Sequence, residues 1–175
     1  MSIRLTNSQG LAGLRIAVGV LFLIFAQYKV FGTEFTLHGG FQYWVNLFLK
    51  EGGAYPFMVD VLRGFVLPHA TVIAFLVAYG ELAIGLALVT GIWVRTASIF
   101  GGIFMITLLF SANYPGSGVP IWRYFGSSVE HSVFLLCFVT FALSNSAEVA
   151  SLARSGWWLS RKSMLKTGKA AKIAP

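Results

Sequence analysis

Six side chains in this chain have types and positions that could do chemistry inside an apolar medium. Glu81 is the only full charge between Arg63 and Arg95, in a run that is otherwise apolar from Val66 to Thr90. A carboxylate near the middle of a segment long enough to cross a bilayer costs roughly several kcal/mol. It persists there only if it is paired, protonated or used. Arg15, Lys29, His69, Glu130 and His131 are the other polar groups near or within apolar runs. Such groups could hold a proton, bind an oxyanion or orient a polar ligand.

The elements that must position them are membrane helices. Hydrophobic residues make up 57% of the 175-residue chain and charged residues 11%, against roughly 45–50% and about 25% in soluble domains. Apolar runs cover Leu11–Phe31, His69–Thr90, Thr96–Ala112 and His131–Leu143. A spanning helix needs about 20 residues. The first two runs meet this outright and the last two need their flanks, so four spans are expected, with three plus an interfacial segment as the alternative. The first run is too long for a signal-peptide core and has no small-residue cleavage site after Phe31.

Residues 33–68 form a long connection with two amphipathic stretches, Phe41–Lys50 and Phe57–Phe65, separated by Gly52-Gly53. Two short interfacial helices are expected there, anchored by Tyr43, Trp44 and Tyr55, with Pro68 in the first turn of the second span. Gly91–Arg95 is a tight turn between spans two and three, and residues 113–128 read as an irregular loop. The fold class is therefore all-α: an integral membrane four-helix bundle with short interfacial helices in the first external loop. Residues 1–147 form the membrane domain and 148–175 a basic cytoplasmic tail.

Charge sets the expected orientation. With four spans, nine of the 13 Lys and Arg residues fall on the side of the termini and four on the other, which places both termini in the cytoplasm of an inner-membrane protein. The net charge of +7 is concentrated after Glu148, as in juxtamembrane segments that meet anionic lipid. A short tail tethered to a membrane is not read as a nucleic-acid binder. The single cysteine, Cys137, rules out dithiol chemistry by this chain alone, and no metal is expected.

Small residues mark the helix contacts: Gly13 with Ala17 in span one, Ala74, Ala78, Glu81 and Gly85 in span two, Ala97 with Gly101 in span three. Depth then suggests partners. Counting about 1.5 Å per residue, Glu81 lies roughly 13 Å and Arg15 about 6 Å from the same end of the bundle, which makes Arg15–Glu81 a plausible buried pair. Lys29, His69, Glu130 and His131 collect near the opposite end as a second polar cluster. Each has an ordinary structural alternative: Lys29 can snorkel to the interface, Glu130 can complement a helix dipole, and lone histidines at helix ends are commonly hydrogen-bonders rather than haem or pigment ligands.

The stretch Phe65–Pro68 and then Ala78-Tyr79-Gly80-Glu81-Leu82-Ala83-Ile84-Gly85-Leu86-Ala87-Leu88-Val89-Thr90-Gly91-Ile92-Trp93-Val94-Arg95-Thr96-Ala97 resembles the DoxX/DoxD-like membrane proteins. Gly80, Glu81, Gly85, Gly91 and Arg95 carry that resemblance, which extends over about residues 11–143, with Arg15, Gly19 and Lys29 in matching places on the first helix. The chain is similar to the small membrane subunit of thiosulfate:quinone oxidoreductase. The resemblance implies a four-helix bundle that acts with at least one other protein subunit and a membrane quinone, not catalytic alone. The alternative is a non-catalytic structural subunit of a larger respiratory or photosynthetic complex, its 16 Phe, 5 Trp and 6 Tyr contacting lipid, pigment or carotenoid, and partner chains. A small transporter is the third reading, with one central carboxylate and no discontinuous helix to recommend it.

Overall fold

The computed structural model describes residues 6–126 and 128–144. Helix α1 (Asn7–Phe31) opens with a capping box: the Thr6 side chain accepts from the Gln9 amide and the Gln9 side chain accepts from the Thr6 amide. Two N–H groups that the helix cannot satisfy internally are thereby paired. The helix accordingly starts four residues before the apolar run does.

Helices α2 (Gly40–Lys50) and α3 (Pro56–Val61) lie in the first long connection, as the amphipathic pattern predicts. Pro56 opens α3, where its missing N–H costs nothing. Helix α3 runs on into a π turn over Leu62–Val66, and α4 (Ala70–Thr90) begins only after Pro68. Pro68 therefore precedes the second span rather than forming its first turn. Its ring would clash with the carbonyl of Gly64 in a continuous α-helix, and the wider π turn relieves that contact.

Gly91, at φ 74°, terminates α4, and α5 (Val94–Ala112) starts after Trp93, whose φ is 54°. The three-residue turn makes α4 and α5 antiparallel neighbours. The second connection, expected to be irregular, contains a short helix α6 (Ile121–Gly126) ahead of α7 (Val129–Leu143). Three helices, α1, α4 and α5, are long and apolar enough to cross a membrane, and α7 is a shorter apolar helix of 15 residues. At 1.5 Å per residue α7 covers about 22 Å of a roughly 30 Å hydrocarbon layer. The basic tail beyond Glu148 lies outside the described residues.

Helix α1 packs along α4, and α5 along α7. Buried positions on α1 are Ala12, Arg15, Val18, Gly19, Phe22 and Ala26, while Gly13 and Ala17 face outward. The expected Gly13–Ala17 contact is thus replaced by a seam through Gly19. On α4, Ala74, Ala78, Glu81 and Gly85 are buried together on one face, as their spacing requires. A Cβ on Gly19 would sit 2.9 Å from Leu88 and 3.0 Å from the Gly85 carbonyl oxygen; one on Gly85 would sit 2.8 Å from Leu23. These glycines let the two backbones touch. On α5, Ala97 and Gly101 are buried, and Gly101 receives the ring of fully buried Phe138.

The core between the two helix pairs holds Val18, Phe22, Ile84, Leu88, Val94, Met105, Phe138 and Phe141. Phe22 sets its ring edge against Phe134 and Phe138, which joins α1 to α7. The outward faces expose Leu21, Ile24, Phe25, Leu76, Ile99, Phe100, Ile103 and Leu136 among others, an apolar coat suited to lipid.

Candidate functional site

The end of the bundle opposite the Gly91 turn carries a cavity of about 230 Å³ walled by all four long helices. From α1 come Phe22, Phe25 and Lys29; from α4, Glu81; from α5, Phe104, Met105 and Leu108; from α7, Glu130, His131 and Phe134.

Its polar wall is an ion pair. Lys29 Nζ donates to both carboxylate oxygens of Glu81, at 2.6 and 2.7 Å, with side-chain exposures of 12% and 7%. The ammonium also lies 5.0 Å from the Phe35 ring centroid and 5.7 Å from that of Tyr28, close enough for cation–π attraction. Glu81 is therefore compensated by Lys29 and not, as depth counting suggests, by Arg15. Two facts explain the difference. Because Gly19 sits against Gly85 and Leu88, Arg15, four residues earlier on the antiparallel helix, is level with the end of α4, at least about 12 Å along the axis from Glu81. In addition, Cα–Cβ bonds tilt toward the N-terminus of each helix. On antiparallel helices this brings the side chains of Lys29 and Glu81 toward each other, and carries that of Arg15 away. Arg15 itself is fully buried.

The opposite wall is His131. Its Nδ1 meets the Ser128 hydroxyl and, at 3.2 Å, the Asn113 side-chain amide. The Asn113 amide nitrogen can only donate, so the one lone pair of Nδ1 accepts from it, which assigns a neutral ring with its proton on Nε2. Ser128 is wholly buried. Glu130 lies 4.0 Å from the same ring nitrogen, its side chain 66% exposed.

Of the four residues whose helix positions place them near this end, Lys29, Glu130 and His131 line one cavity. His69 does not join them: it bonds the Phe65 carbonyl oxygen at 2.9 Å and stacks near the Phe65 ring. Asn113 and Ser128, which orient His131, do not stand out in the sequence as site residues. Ser128 has a signal all the same, since a serine two residues before Glu130 occupies the helix N-cap position. The aromatic lining has no linear signature. Among the described residues no group of three or more His, Cys, Asp or Glu side chains could hold a metal ion.

A family model, DoxX, matches residues 10–113. The chain belongs to the DoxX family. No curated protein matches it, and no solved structure does. The DoxX match runs from α1 through α5 and so contains Lys29, Glu81 and the glycines of the α1–α4 seam. Glu130 and His131, on α7, lie beyond it. The residues on which the sequence resemblance rests have separate places: Gly85 is in the seam, Gly91 ends α4, Gly80 lines an apolar groove with Ala83 and Phe100, and Arg95 is exposed at the start of α5.

Proposed function

We propose that this DoxX-family chain is an accessory membrane subunit of an electron-transfer complex, one resembling thiosulfate:quinone oxidoreductase. In this reading the cavity receives the head group of a membrane quinone. The observation that carries it is the Lys29–Glu81 pair set in an aromatic chamber opposite a neutral His131. The residues fit such a group. Four phenylalanines supply apolar faces, and the cavity is smaller than the roughly 300–1,000 Å³ of sites that enclose a drug-sized ligand, which suits a ring whose tail stays in the bilayer.

A bound quinone would supply two-electron, two-proton redox chemistry. This chain's residues do the rest. Lys29 has three N–H donors, two engaged by Glu81, and presents the third. His131, held by Ser128 and Asn113, offers Nε2–H. Two donors on different helices can fix two carbonyl oxygens. Glu81 keeps the ammonium in place and can take up a proton when the charge beside it changes. The phenylalanines exclude water, which strengthens each of these contacts. A partner subunit would carry the sulfur chemistry.

The test is quinone content and turnover of the complex purified from native membrane. Lys29→Met alone would strand a buried carboxylate, so the informative variant is Lys29→Met with Glu81→Gln. Assembled complex of this double variant should lose bound quinone and turnover; unchanged quinone content in assembled protein would defeat the proposal. The structural-subunit reading draws support from a second groove, between α5 and α7, lined by Ser98, Gly102, Ile106 and Leu135. Exposed Ile99 and Ile103 flank that groove, which gives a partner helix an apolar surface to meet. That reading becomes first if the double variant assembles and works normally.

A further inference from the structure

The cavity's rim is uneven. Of its ten lining residues only Phe25 and Glu130 are exposed. Phe25 is on α1 and Glu130 on α7, the two helices joined mainly by the Phe22 ring against Phe134 and Phe138. Glu130 stands at the first turn of α7, at the polar end of the bundle, whereas Phe25 lies six residues before the end of α1. The mouth therefore descends from the polar boundary about 9 Å into the apolar zone, with an acidic lip above and an aromatic lip below. Below Phe25, Leu21 continues the exposed strip on α1, and Val133 is exposed on α7 beside Glu130.

The charge inside is also defined. Lys29 and Glu81 cancel, and His131 is neutral because its Nδ1 accepts from the Asn113 amide. Glu130 is left as the one charge without an opposite charge among the lining residues, which makes that lip of the mouth acidic.

Resting on the quinone reading above, we infer that the ligand of this cavity is an amphiphile with an uncharged head group that enters sideways from the bilayer between α1 and α7, and that Glu130 turns anionic head groups away. A water-soluble anion, the other ligand the polar cluster suggests from sequence, meets an acidic lip and a greasy one. A neutral carbonyl head group with an alkyl tail meets neither obstacle. Its tail lies along Leu21 and Phe25 while its oxygens reach Lys29 and His131.

The experiment uses the full chain, with its native partners, in lipid nanodiscs. The probe is a benzoquinone with a decyl tail that carries a diazirine on the carbons nearest the ring. Photolysis should label Leu21, Phe25 or Val133, and excess untagged decyl-benzoquinone should abolish that labelling. Decyl sulfate should compete less well, by about fivefold for one partly exposed charge, and Glu130→Gln should close the gap. Competed labelling confined to residues 41–58 or 113–126 would overturn lateral entry while leaving the cavity as the quinone site. Equal competition by decyl sulfate in both proteins would overturn the role of Glu130. If no labelling can be competed at any position, the inference fails together with the reading it rests on.

Discussion

Lys29 and Glu81 are joined by two hydrogen bonds, at 2.6 and 2.7 Å, although they sit at different heights on antiparallel helices. The height difference is what the N-terminal tilt of each side chain consumes. The pair links the C-terminal half of α1 to the middle of α4, on the cavity side of the Gly19–Gly85 seam.

Removing one member should cost more than removing both. Glu81→Gln or Lys29→Met alone leaves a buried charge and should destabilise the bundle by about 3–5 kcal/mol. Lys29→Met combined with Glu81→Gln should lose clearly less than the sum of the single changes. Thermal unfolding in detergent measures this, and strictly additive losses would mean the two side chains are not coupled.

Glycine substitutions should separate the seam from the lipid face. Gly85→Ala puts a Cβ within 2.8 Å of Leu23 and 3.0 Å of the Gly19 carbonyl oxygen, whereas a Cβ at Gly13 meets nothing within 4 Å. The first should destabilise by about 1–3 kcal/mol. Gly13→Ala should be neutral or slightly stabilising, because alanine is the better helix former. Equal effects at the two sites would contradict the packing register of α1 on α4.

Nitrogen NMR on labelled histidine offers a direct reading of His131. Its Nδ1 should show the unprotonated signature and Nε2 the protonated one. Asn113→Leu with Ser128→Ala removes both partners of Nδ1 and should release the ring into a mixture of tautomers. A protonated Nδ1 in the unaltered protein would remove the basis for a neutral site.

Topology can be checked with single cysteines in a Cys137→Ser background. Lys50, at the end of α2, and Trp93, 80% exposed in the α4–α5 turn, belong to opposite ends of the bundle. Cysteines placed there should label from opposite faces of sealed vesicles, the turn from the cytoplasmic face if the distribution of Lys and Arg sets the orientation. Labelling of both from one face would refute the arrangement.

The helices are legible in the sequence because their causes are local. Apolar runs, the Gly91 stop and the amphipathic stretch at Phe41–Lys50 are written in consecutive residues. The start of α1 is written in Thr6-Asn7-Ser8-Gln9, but hydropathy alone places it at Leu11. What sets the height of Arg15 is the register of α1 on α4, with Gly19 against Gly85 and Leu88, and that register, which brings Lys29 to Glu81, is not written in either helix alone. The buried face of α4 follows from spacing, whereas on α1 the choice between Gly13 and Gly19 does not. Both are small residues on a helix, and only the docked partner distinguishes them. The meeting of Lys29, Glu130 and His131 can be read from the ends of their helices. The phenylalanine walls and the role of Asn113 cannot, since they arise from helices brought together across the whole chain.

The Gly53 carbonyl oxygen accepts from the Tyr114 amide at 2.7 Å, and the Tyr55 amide donates to the Phe110 carbonyl oxygen at 2.9 Å. Tyr55 also packs its ring against Phe110, Tyr114 and Tyr124. The long first connection is thus fastened to the end of α5, and a Cβ at Gly53 would strike the Ala112 carbonyl oxygen at 2.7 Å. For anyone adding an epitope or a fluorescent domain, this divides the loop-bearing end of the bundle into two territories. Residues 53–55 have no slack to give, while the open backbone at Gly118, where a Cβ meets nothing within 4 Å, is the place where new sequence can be spliced in without loosening the bundle.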